Sequence, residues 1–547
     1  MVCSSAFALP DHALLSRIAY AMSGLLFGLL LIIVFELGLR ALGVAEDAPR
    51  YDPFAGFSSA VPFFDLVDER DGTRYYEWSR VRARHFGAVG PIEAQRKFEI
   101  RAEEEVYRIF VTGGSSAAGT PYTTDFAFSG WLERRLAYQL PDVPIDVINT
   151  AMPAYGSGRL RPIVEELAGL EPDLLIIYMG HNEWAESSYH ARMLQIPPLI
   201  FRLLEAVYGT RIYGLAATLT NIAPPRPDEI DIDIRKQNAQ MFKAARHRIE
   251  SRKNSPKREI EYRRLIYERN LHRMLDAMEA VGGRVAILTL SQNFADWAPP
   301  ASLHRVDLEP EAQARWESLV VEADRLAEVG SDCRPALTSY ERALEIDAEF
   351  AMLHYKLARC QHSLGDLDSA RHHYRRASDL DPVPLGAPTQ FNEILRAVAS
   401  ERGAILVDVD AFLTEESGDR AVGNDLFTDF AHPNIRAHQR ISKEIANALR
   451  AADEIAPAQQ WRDGFSPRDP ADLYRADAEL YWIELKSRVF VCIVSDRPEC
   501  EADARELLTH IPSDRLAQSV LSGLRARGRL GAFIGREVLG ESGRVGR

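Results

Sequence analysis

The chain has 547 residues and a formal net charge of −14 at pH 7, and 46% of its residues are hydrophobic. This length allows two to four domains with a sizeable core. The acidic balance argues against a nucleic-acid-binding protein, which normally shows a basic domain or stripe. The cysteines are too few for a disulfide framework and lack metal-binding spacing; they are Cys3, Cys333, Cys360, Cys492 and Cys500. Cys492 and Cys500 could pair locally, but we expect buried free thiols, which leaves the redox compartment open.

The first predicted element is a membrane-spanning helix over residues 18–39, which follows an N-terminal tail at 1–17. The sequence between Arg17 and Arg40 is uncharged except for Glu36. At about 1.5 Å per residue, this stretch reaches roughly the 30 Å thickness of a hydrocarbon core. A cleaved signal peptide is the alternative, but the apolar run is longer than usual for one. The flanking charges do not decide orientation. A long domain after such an anchor favours an extracytoplasmic location.

Residues 40–105 have a mixed, aromatic composition that includes Tyr75, Tyr76 and Trp78. No regular hydrophobic period is visible there. We expect a connector that packs on the edge of a sheet.

The next element is a buried strand that ends in a glycine turn, VYRIFVTGGSSAAG from Val106 to Gly119. The turn presents Ser115 at the strand tip, the edge where open α/β sheets bind ligands. Alone, this signal is also compatible with a phosphate-binding loop or a plain tight turn. The glycine spacing does not match G-x-G-x-x-G, and no lysine lies where a P-loop needs one.

Five apolar runs predict strands separated by helical segments such as 126–140 and 267–280. The runs are residues 106–112, 145–149, 174–179, 285–290 and 405–409. Strands that alternate with helices predict an α/β domain with a parallel sheet. The first three strands run directly into loops that contain Ser115, Ala154 and Asn182, so we expect these residues to gather at one sheet edge.

Two insertions interrupt this domain. Residues 185–264 have proline-marked breaks and a concentration of basic residues, namely Arg246, Arg248, Arg252, Lys253, Lys257, Arg258, Arg263 and Arg264. A solvated helix face is one interpretation of this region, because glutamates are interleaved. A lid that meets lipid head groups or an anionic glycan is the other.

Residues 311–384 contain a repeat with a period of 34. Its matching positions are Ala336 and Ala370, Tyr340 and Tyr374, Ala343 and Ala377, and Asp347 and Asp381. This period and pattern indicate two tetratricopeptide (TPR) units, of which the first is degenerate. Two units are fewer than the usual minimum, so we expect them to lean on the α/β domain. They leave from the same sheet edge as Ser115, so we expect them to lie beside the rim of the site. There they would shape access of the acceptor or recruit a protein partner. The alternative is that they are only structural.

Residues 452–547 form a tail that we expect to be mostly helical and that contains no functional motif. The linker Ser466-Pro467-Arg468-Asp469-Pro470 lies within this tail, before the part from Leu473 onward that we expect to be helical.

Four ordered blocks make the chain resemble the SGNH (GDSL-type) hydrolase family. They are Gly113-Gly114-Ser115, Asn149-Thr150-Ala151-Met152-Pro153-Ala154, Gly180-His181-Asn182-Glu183 and Asp429-Phe430-Ala431-His432. The resemblance implies a flavodoxin-like three-layer domain with a five-stranded parallel sheet, built from residues 106–184, 265–310 and 385–451.

The resemblance also implies the roles of the site residues. Ser115 would be the nucleophile, His432 the general base and Asp429 the residue that orients His432. The oxyanion would be met by the backbone N–H groups of Ser115 and Ala154 and by the amide of Asn182. Further residues expected to line the site are Gly114, Glu183 and Asn293.

Three departures from the family pattern bear on the site. Gly114 replaces an aspartate that has no direct catalytic part, and Ala154 replaces a glycine whose backbone N–H is functional. Glu183 replaces an aspartate and adds one methylene, which leaves its supporting contacts open.

The sequence therefore predicts a membrane-anchored serine esterase that cleaves carboxylic esters without a metal or other cofactor. Its substrate would be an acyl ester on an envelope glycan or a lipid, with no nucleic acid involved. An O-acyltransferase with the same three residues is an alternative. A non-catalytic assembly module is another, in which the surface around Tyr340 and Tyr374 holds a partner.

Overall fold

We describe the protein from a computed structural model. The described residues are 12–44, 63–68, 74–79, 97–99, 106–153, 155–184, 210–220, 256–329, 332–382, 384–492 and 500–514, with single positions between 200 and 207 and between 517 and 521. The chain divides into two compact units. The first comprises Met1–Pro53, Phe57–Val61 and Gln195–Glu229, and the second comprises the remainder.

The described strands and helices are numbered in chain order. The strands are β1 (Phe64–Asp68), β2 (Arg74–Trp78), β3 (Phe98–Glu99), β4 (Tyr107–Gly113), β5 (Ile145–Asn149), β6 (Leu174–Tyr178), β7 (Arg284–Leu288) and β8 (Ile405–Val407). The helices are α1 (His12–Ala41), α2 (Ser115–Ala118), α3 (Phe128–Gln139), α4 (Ser157–Leu167), α5 (Arg211–Thr220), α6 (Pro256–Glu279), α7 (Pro310–Val329), α8 (Arg334–Ile346), α9 (Ala351–Ser363), α10 (Leu367–Leu380), α11 (Gln390–Arg402), α12 (Val409–Glu416), α13 (Ile435–Ala451), α14 (Pro470–Ala476), α15 (Ala478–Val491) and α16 (Cys500–His510).

The first unit contains α1 and α5. Helix α1 includes the whole predicted span 18–39 and is long and apolar enough to cross a membrane. Its apolar side chains between Met22 and Leu37 are largely exposed. Helix α5 packs against α1.

The second unit is built on a parallel sheet with the strand order β5-β4-β6-β7-β8. All four strand pairs are parallel, so the predicted five-stranded α/β domain is confirmed. The central strands are almost wholly buried, as expected when helices cover both faces of a sheet. Helices α3 and α13 pack on each other, and α6 packs on α4 and α11. The carboxyl ends of β4 and β6 therefore open at one edge of the sheet.

The connector at 40–105 contains regular structure that its composition does not predict. Strands β1, β2 and β3 form an antiparallel sheet. The ring of Phe98 lies 5.5 Å from that of Phe110 on β4. Glu166 on α4 accepts the backbone N–H groups of Phe63 and Phe64 at 2.7–2.9 Å. The aromatic residues thus pack this small sheet onto the main one.

The insertion after β7 consists of two helical hairpins, α7 with α8 and α9 with α10, which also pack on each other. All four residue pairs that repeat at a spacing of 34 are buried in both hairpins. Tyr340 and Tyr374 are each only 3% exposed, so their rings are not themselves available to a partner, and binding of a partner by the surface around them stays a prediction. Both rings are buried by the packing of the helices.

The structure contains two disulfides, so the expectation of free thiols is wrong. Cys333 bonds to Cys360 within the insertion, and Cys492 bonds to Cys500 within the tail. The first pair could not be foreseen from local spacing, because it joins two consecutive helices that come together only when the hairpins pack.

The described part of the tail contains helices α14, α15 and α16, and it packs on the α/β domain. Leu480 of α15 contacts a cluster that includes Tyr122, Trp131 and Ile435. The Tyr122 hydroxyl donates to Glu484. The tail therefore contacts residues that follow the Ser115 loop.

Candidate active site

Ser115 follows directly on the turn that ends β4. Gly113 pairs with Tyr178 of the neighbouring strand, and a Cβ at Gly113 would lie 2.0 Å from the Tyr178 backbone oxygen. Only glycine permits this close approach. The chain then enters α2 at Ser115, whose N–H belongs to the first helical turn and has no partner within a helix.

The structure distinguishes Ser115 from the adjacent Ser116. Ser116 is 3% exposed, and its hydroxyl donates to the backbone oxygen of Ala431 at 2.9 Å. Ser115 Oγ instead lies 2.6 Å from His432 Nε2. Ser116 thus ties the serine turn to the histidine loop, while Ser115 faces the imidazole.

Asp429 holds the other side of the imidazole. Its Oδ2 lies 2.6 Å from His432 Nδ1, and its Oδ1 accepts the backbone N–H groups of Ala431 and His432 at 3.0 and 2.9 Å. An Nδ1–H that donates to Asp429 leaves Nε2 free to accept a proton from Ser115. The structure therefore brings the three predicted residues into one hydrogen-bonded chain.

The charge of Asp429 favours a protonated His432. Burial alone lowers the pKa of His432, but the charge and hydrogen bond of Asp429 outweigh burial and raise that pKa above its ordinary value. Burial raises the pKa of Asp429, yet His432 and the two backbone N–H groups outweigh it and lower that pKa. Asp429 therefore stays ionised while His432 is poised to take up a proton.

Two further buried histidines flank this chain and are neutral. Burial, with help from His432, lowers the pKa values of His181 and His438 to about 3 each. His181 Nδ1 accepts the N–H of Ala387, and His438 Nδ1 accepts the N–H of Phe128, both at 3.1 Å. Neither histidine gains a charge near neutral pH, and His432 is the imidazole of this group whose pKa is raised.

Asn182 lies against the serine turn. Its Nδ2 donates to the Tyr155 backbone oxygen at 3.1 Å, and a carboxamide nitrogen has a second hydrogen to donate. A Cβ at Gly114 would lie 2.3 Å from that same Nδ2. The glycine that replaces the family's aspartate therefore makes room for the Asn182 amide. Ala154, the other predicted oxyanion residue, lies outside the described residues.

Glu183 has well-defined supporting contacts despite its additional methylene. Its carboxylate accepts the N–H and the hydroxyl of Ser157 at 2.6 and 2.9 Å, at the start of α4. A carboxylate at a helix N-terminus is favourable. Arg263 donates to the Glu183 backbone oxygen and lies 5.0 Å from the Trp184 ring. Arg263 is 2% exposed, so its expected place on a solvated basic face is wrong.

Asn293 joins two loops beside the histidine. Its backbone N–H donates to Phe430 at 2.9 Å, and its side chain bonds to Asn424 and to the N–H of Asp296. The Phe430 ring lies 5.6 Å from the His432 ring. Asn293 is 3% exposed and thus mainly fixes the loop that carries His432.

A narrow cleft adjoins this loop, and the insertion forms one of its walls. Phe430 and Trp297 line one side, with ring centroids 5.4 Å apart, and Tyr374 and Ser378 of α10 line another. Gln292 crosses between the walls and donates to Ser378 at 2.7 Å. The sequence reasoning missed Trp297 and Gln292, although both lie in the loop that contains Asn293. Within the described residues, no group of three or more His, Cys, Asp or Glu side chains could hold a metal ion.

A family model matches the part of the chain that contains the first three blocks. Residues 111–252, about a quarter of the chain, match the GDSL-like Lipase/Acylhydrolase family. The match ends before Asp429 and His432, and the fold brings these two residues to Ser115. No curated protein matches the chain.

Solved structures that match the chain include TesA, Axe2 and EstA. TesA is 14% identical with a TM-score of 0.27, and the match covers 63% of this chain and 98% of TesA. Axe2, an acetylxylan esterase from Geobacillus stearothermophilus, is 10% identical with a TM-score of 0.29, and the match covers 64% of this chain and 95% of Axe2. The psychrotrophic esterase EstA from Pseudoalteromonas sp. is 10% identical with a TM-score of 0.27, and the match covers 63% of this chain and 98% of EstA. At such TM-scores we draw nothing about activity from these structures. With the family match over the serine turn and the Asn182 loop, the chain is an ester-cleaving hydrolase that contains a GDSL-like lipase/acylhydrolase segment.

Proposed function

We propose that Ser115, His432 and Asp429 form the catalytic triad of a serine esterase. The observation that carries this proposal is the chain of two 2.6 Å contacts from Asp429 through His432 to Ser115. His432 would take the hydroxyl proton as Ser115 attacks the ester carbonyl, then return it to the leaving alcohol. Water would then hydrolyse the acyl-serine by the same proton transfers in reverse. These residues need no cofactor for either step.

The tetrahedral oxyanion would be bound by two donors that the structure describes, the N–H of Ser115 and the amide of Asn182. Ala154 is proposed as the third donor from the family pattern. Removing one such donor typically costs about 10²- to 10³-fold in kcat.

Covalent labelling tests the triad. A fluorophosphonate probe should modify the full-length protein in detergent by one adduct, which intact-mass measurement detects. Ser115→Ala should abolish the adduct, and His432→Ala should slow its formation strongly because the serine is no longer activated.

Ser116→Ala is the matched control, since it removes the neighbouring hydroxyl and leaves the one that faces His432. It should label at a rate much closer to the parent protein. Labelling that persists in Ser115→Ala, or that is absent in a folded parent protein, would contradict the triad.

We also propose that α1 anchors the protein and that the hydrolase domain lies on the extracytoplasmic side of the membrane. The length and apolar character of α1 support the anchor. The two disulfides support the location, because disulfides persist in oxidising compartments and are rare in the cytosol.

The substrate is proposed to be an acyl ester on an envelope glycan or a lipid. The two hairpins after β7 are proposed to be TPR-like, which their buried repeat positions support. They would shape access to the alcohol part of the ester. The cleft wall formed by α10 adjoins the loop that carries His432, and the His432 imidazole must reach the alcohol oxygen.

A further inference from the structure

The first unit contains an apolar surface that is separate from the anchor. Ile200, Leu203 and Val207 are helical positions at spacings of three and four, which is the spacing of an apolar helix face. Their exposed fractions are 47%, 59% and 53%, and Leu219 of α5 is 76% exposed. Between residues 196 and 223 the only charged residues are Arg202, Glu205 and Arg211. Such a run of exposed apolar side chains needs an apolar partner.

The position of α5 along α1 indicates what this partner is. Helix α5 docks at the C-terminal end of α1, where Glu36 and Arg40 end the apolar stretch. Leu39, between them, is 7% exposed, whereas the apolar residues before Glu36 are largely exposed. The polar end of a membrane-spanning helix lies at the boundary between hydrocarbon and head groups. Helix α5 thus begins at the level of that boundary.

Polar groups at this junction are paired within the protein. The Glu36 carboxylate accepts the N–H groups of Arg211 and Ile212 at 2.9 and 3.1 Å and the Arg40 Nε–H at 2.8 Å. The Thr210 hydroxyl accepts the next N–H, that of Tyr213, at 3.1 Å. Three donors at the first turn of α5 are therefore satisfied without water, as a helix end near hydrocarbon requires. This pairing also accounts for an acidic residue in an otherwise apolar helix.

We propose that Ile200, Leu203, Val207 and helix α5 lie in the membrane interface as a second lipid-binding element, docked on the anchor through Glu36. Helix α5 has 10 residues and is about 15 Å long, half of a hydrocarbon core of about 30 Å. It is too short to span the membrane and suits an interfacial position. The inference rests on the proposed anchor.

Depth-dependent fluorescence quenching tests the proposal on the full-length protein in phosphatidylcholine–phosphatidylglycerol vesicles. In a Cys3→Ser background, Leu203→Cys and Leu219→Cys are labelled separately with an environment-sensitive fluorophore. Lipids with a nitroxide near the head group should quench both labels by roughly twofold, and more than lipids with a nitroxide near the chain end, because interfacial helices bury about 5–10 Å deep.

Two control positions separate this inference from the anchor itself. Phe27→Cys, at a 62% exposed position of α1, should be quenched most by the deep nitroxide. Val321→Cys, at a 63% exposed position of α7, should not be quenched by either. Quenching at Phe27 but not at Leu203 and Leu219 would overturn the interfacial element and leave the anchor standing. No quenching at Phe27 would overturn the anchor and the element together, while the triad would still be judged by fluorophosphonate labelling.

Discussion

The Asp429–His432 pair determines how the proposed reaction should respond to pH. His432 must be neutral to accept the proton of Ser115, and Asp429 raises its pKa above the ordinary value of about 6.5. The activity kcat/KM should therefore fall as pH decreases through a value above 6.5. His181 and His438, with pKa values of about 3, should add no step in that range.

Asp429→Asn should change both the rate and the pH profile. It removes the charge that raises the pKa of His432, so the acidic limb should move to lower pH. The rate should fall by roughly 10³- to 10⁴-fold because the imidazole loses its oriented tautomer. The measurement is kcat/KM for a soluble aryl ester across pH. An acidic limb that stays in place in this variant would show that another group is titrating.

Gly114 should be a sensitive position although its side chain takes no part in the chemistry. In Gly114→Ala the new methyl group would meet the Asn182 amide at 2.3 Å and displace it. Loss of this donor should lower kcat by about 10²-fold with little change in KM, because the oxyanion forms only during the reaction.

Gly169→Ala is the matched control for this effect, since its Cβ would have no neighbour within 4 Å. It should leave kcat unchanged. Equal kcat for Gly114→Ala and the parent protein would contradict the proposed position of the Asn182 amide. An aspartate at position 114, which would restore the family motif, should be harmful here for the same steric reason.

At the scale of the elements, strong periodicity and composition predicted most of the second unit. The buried strands β4 to β8 and helix α3 were predictable because continuous apolar runs and glycine turns mark them. Helix α6 overlaps the predicted segment 267–280 but begins at Pro256, within the expected insertion 185–264. The three-stranded sheet was missed, since its strands are short and pack against Phe110 and Glu166, which are distant in sequence.

The candidate site was predictable to a similar degree. Ser115 and His432 lie in motifs, and the sheet topology brings the Ser115 turn to the Asn182 loop. The surroundings were not predictable, because Trp297 and Gln292 gain meaning only when α10 packs beside them. The burial of Arg263 depends likewise on its contact with the Glu183 loop. Charge in a sequence says little about which arginine a tertiary contact will bury.

For the whole molecule, the two disulfides make the proposed location testable. Protein extracted from native membranes under alkylating, non-reducing denaturation should react with one maleimide–polyethylene glycol, at Cys3, because the other four of its five cysteines are paired. After reduction it should react with five. The mass added on a gel measures this number. Five additions without reductant would argue for a reducing compartment and against an extracytoplasmic domain.

The contact between Ser115 and His432 also determines when, during synthesis of the chain, the site can form. The two residues are 317 positions apart in the sequence. At synthesis rates of about 5–20 residues per second, the histidine leaves the ribosome roughly 15–60 seconds after the serine. Both insertions are made in this interval. A nascent chain that ends before His432 therefore presents the serine turn without its base, and hydrolytic competence arises only after residue 432 of the 547 has been translated.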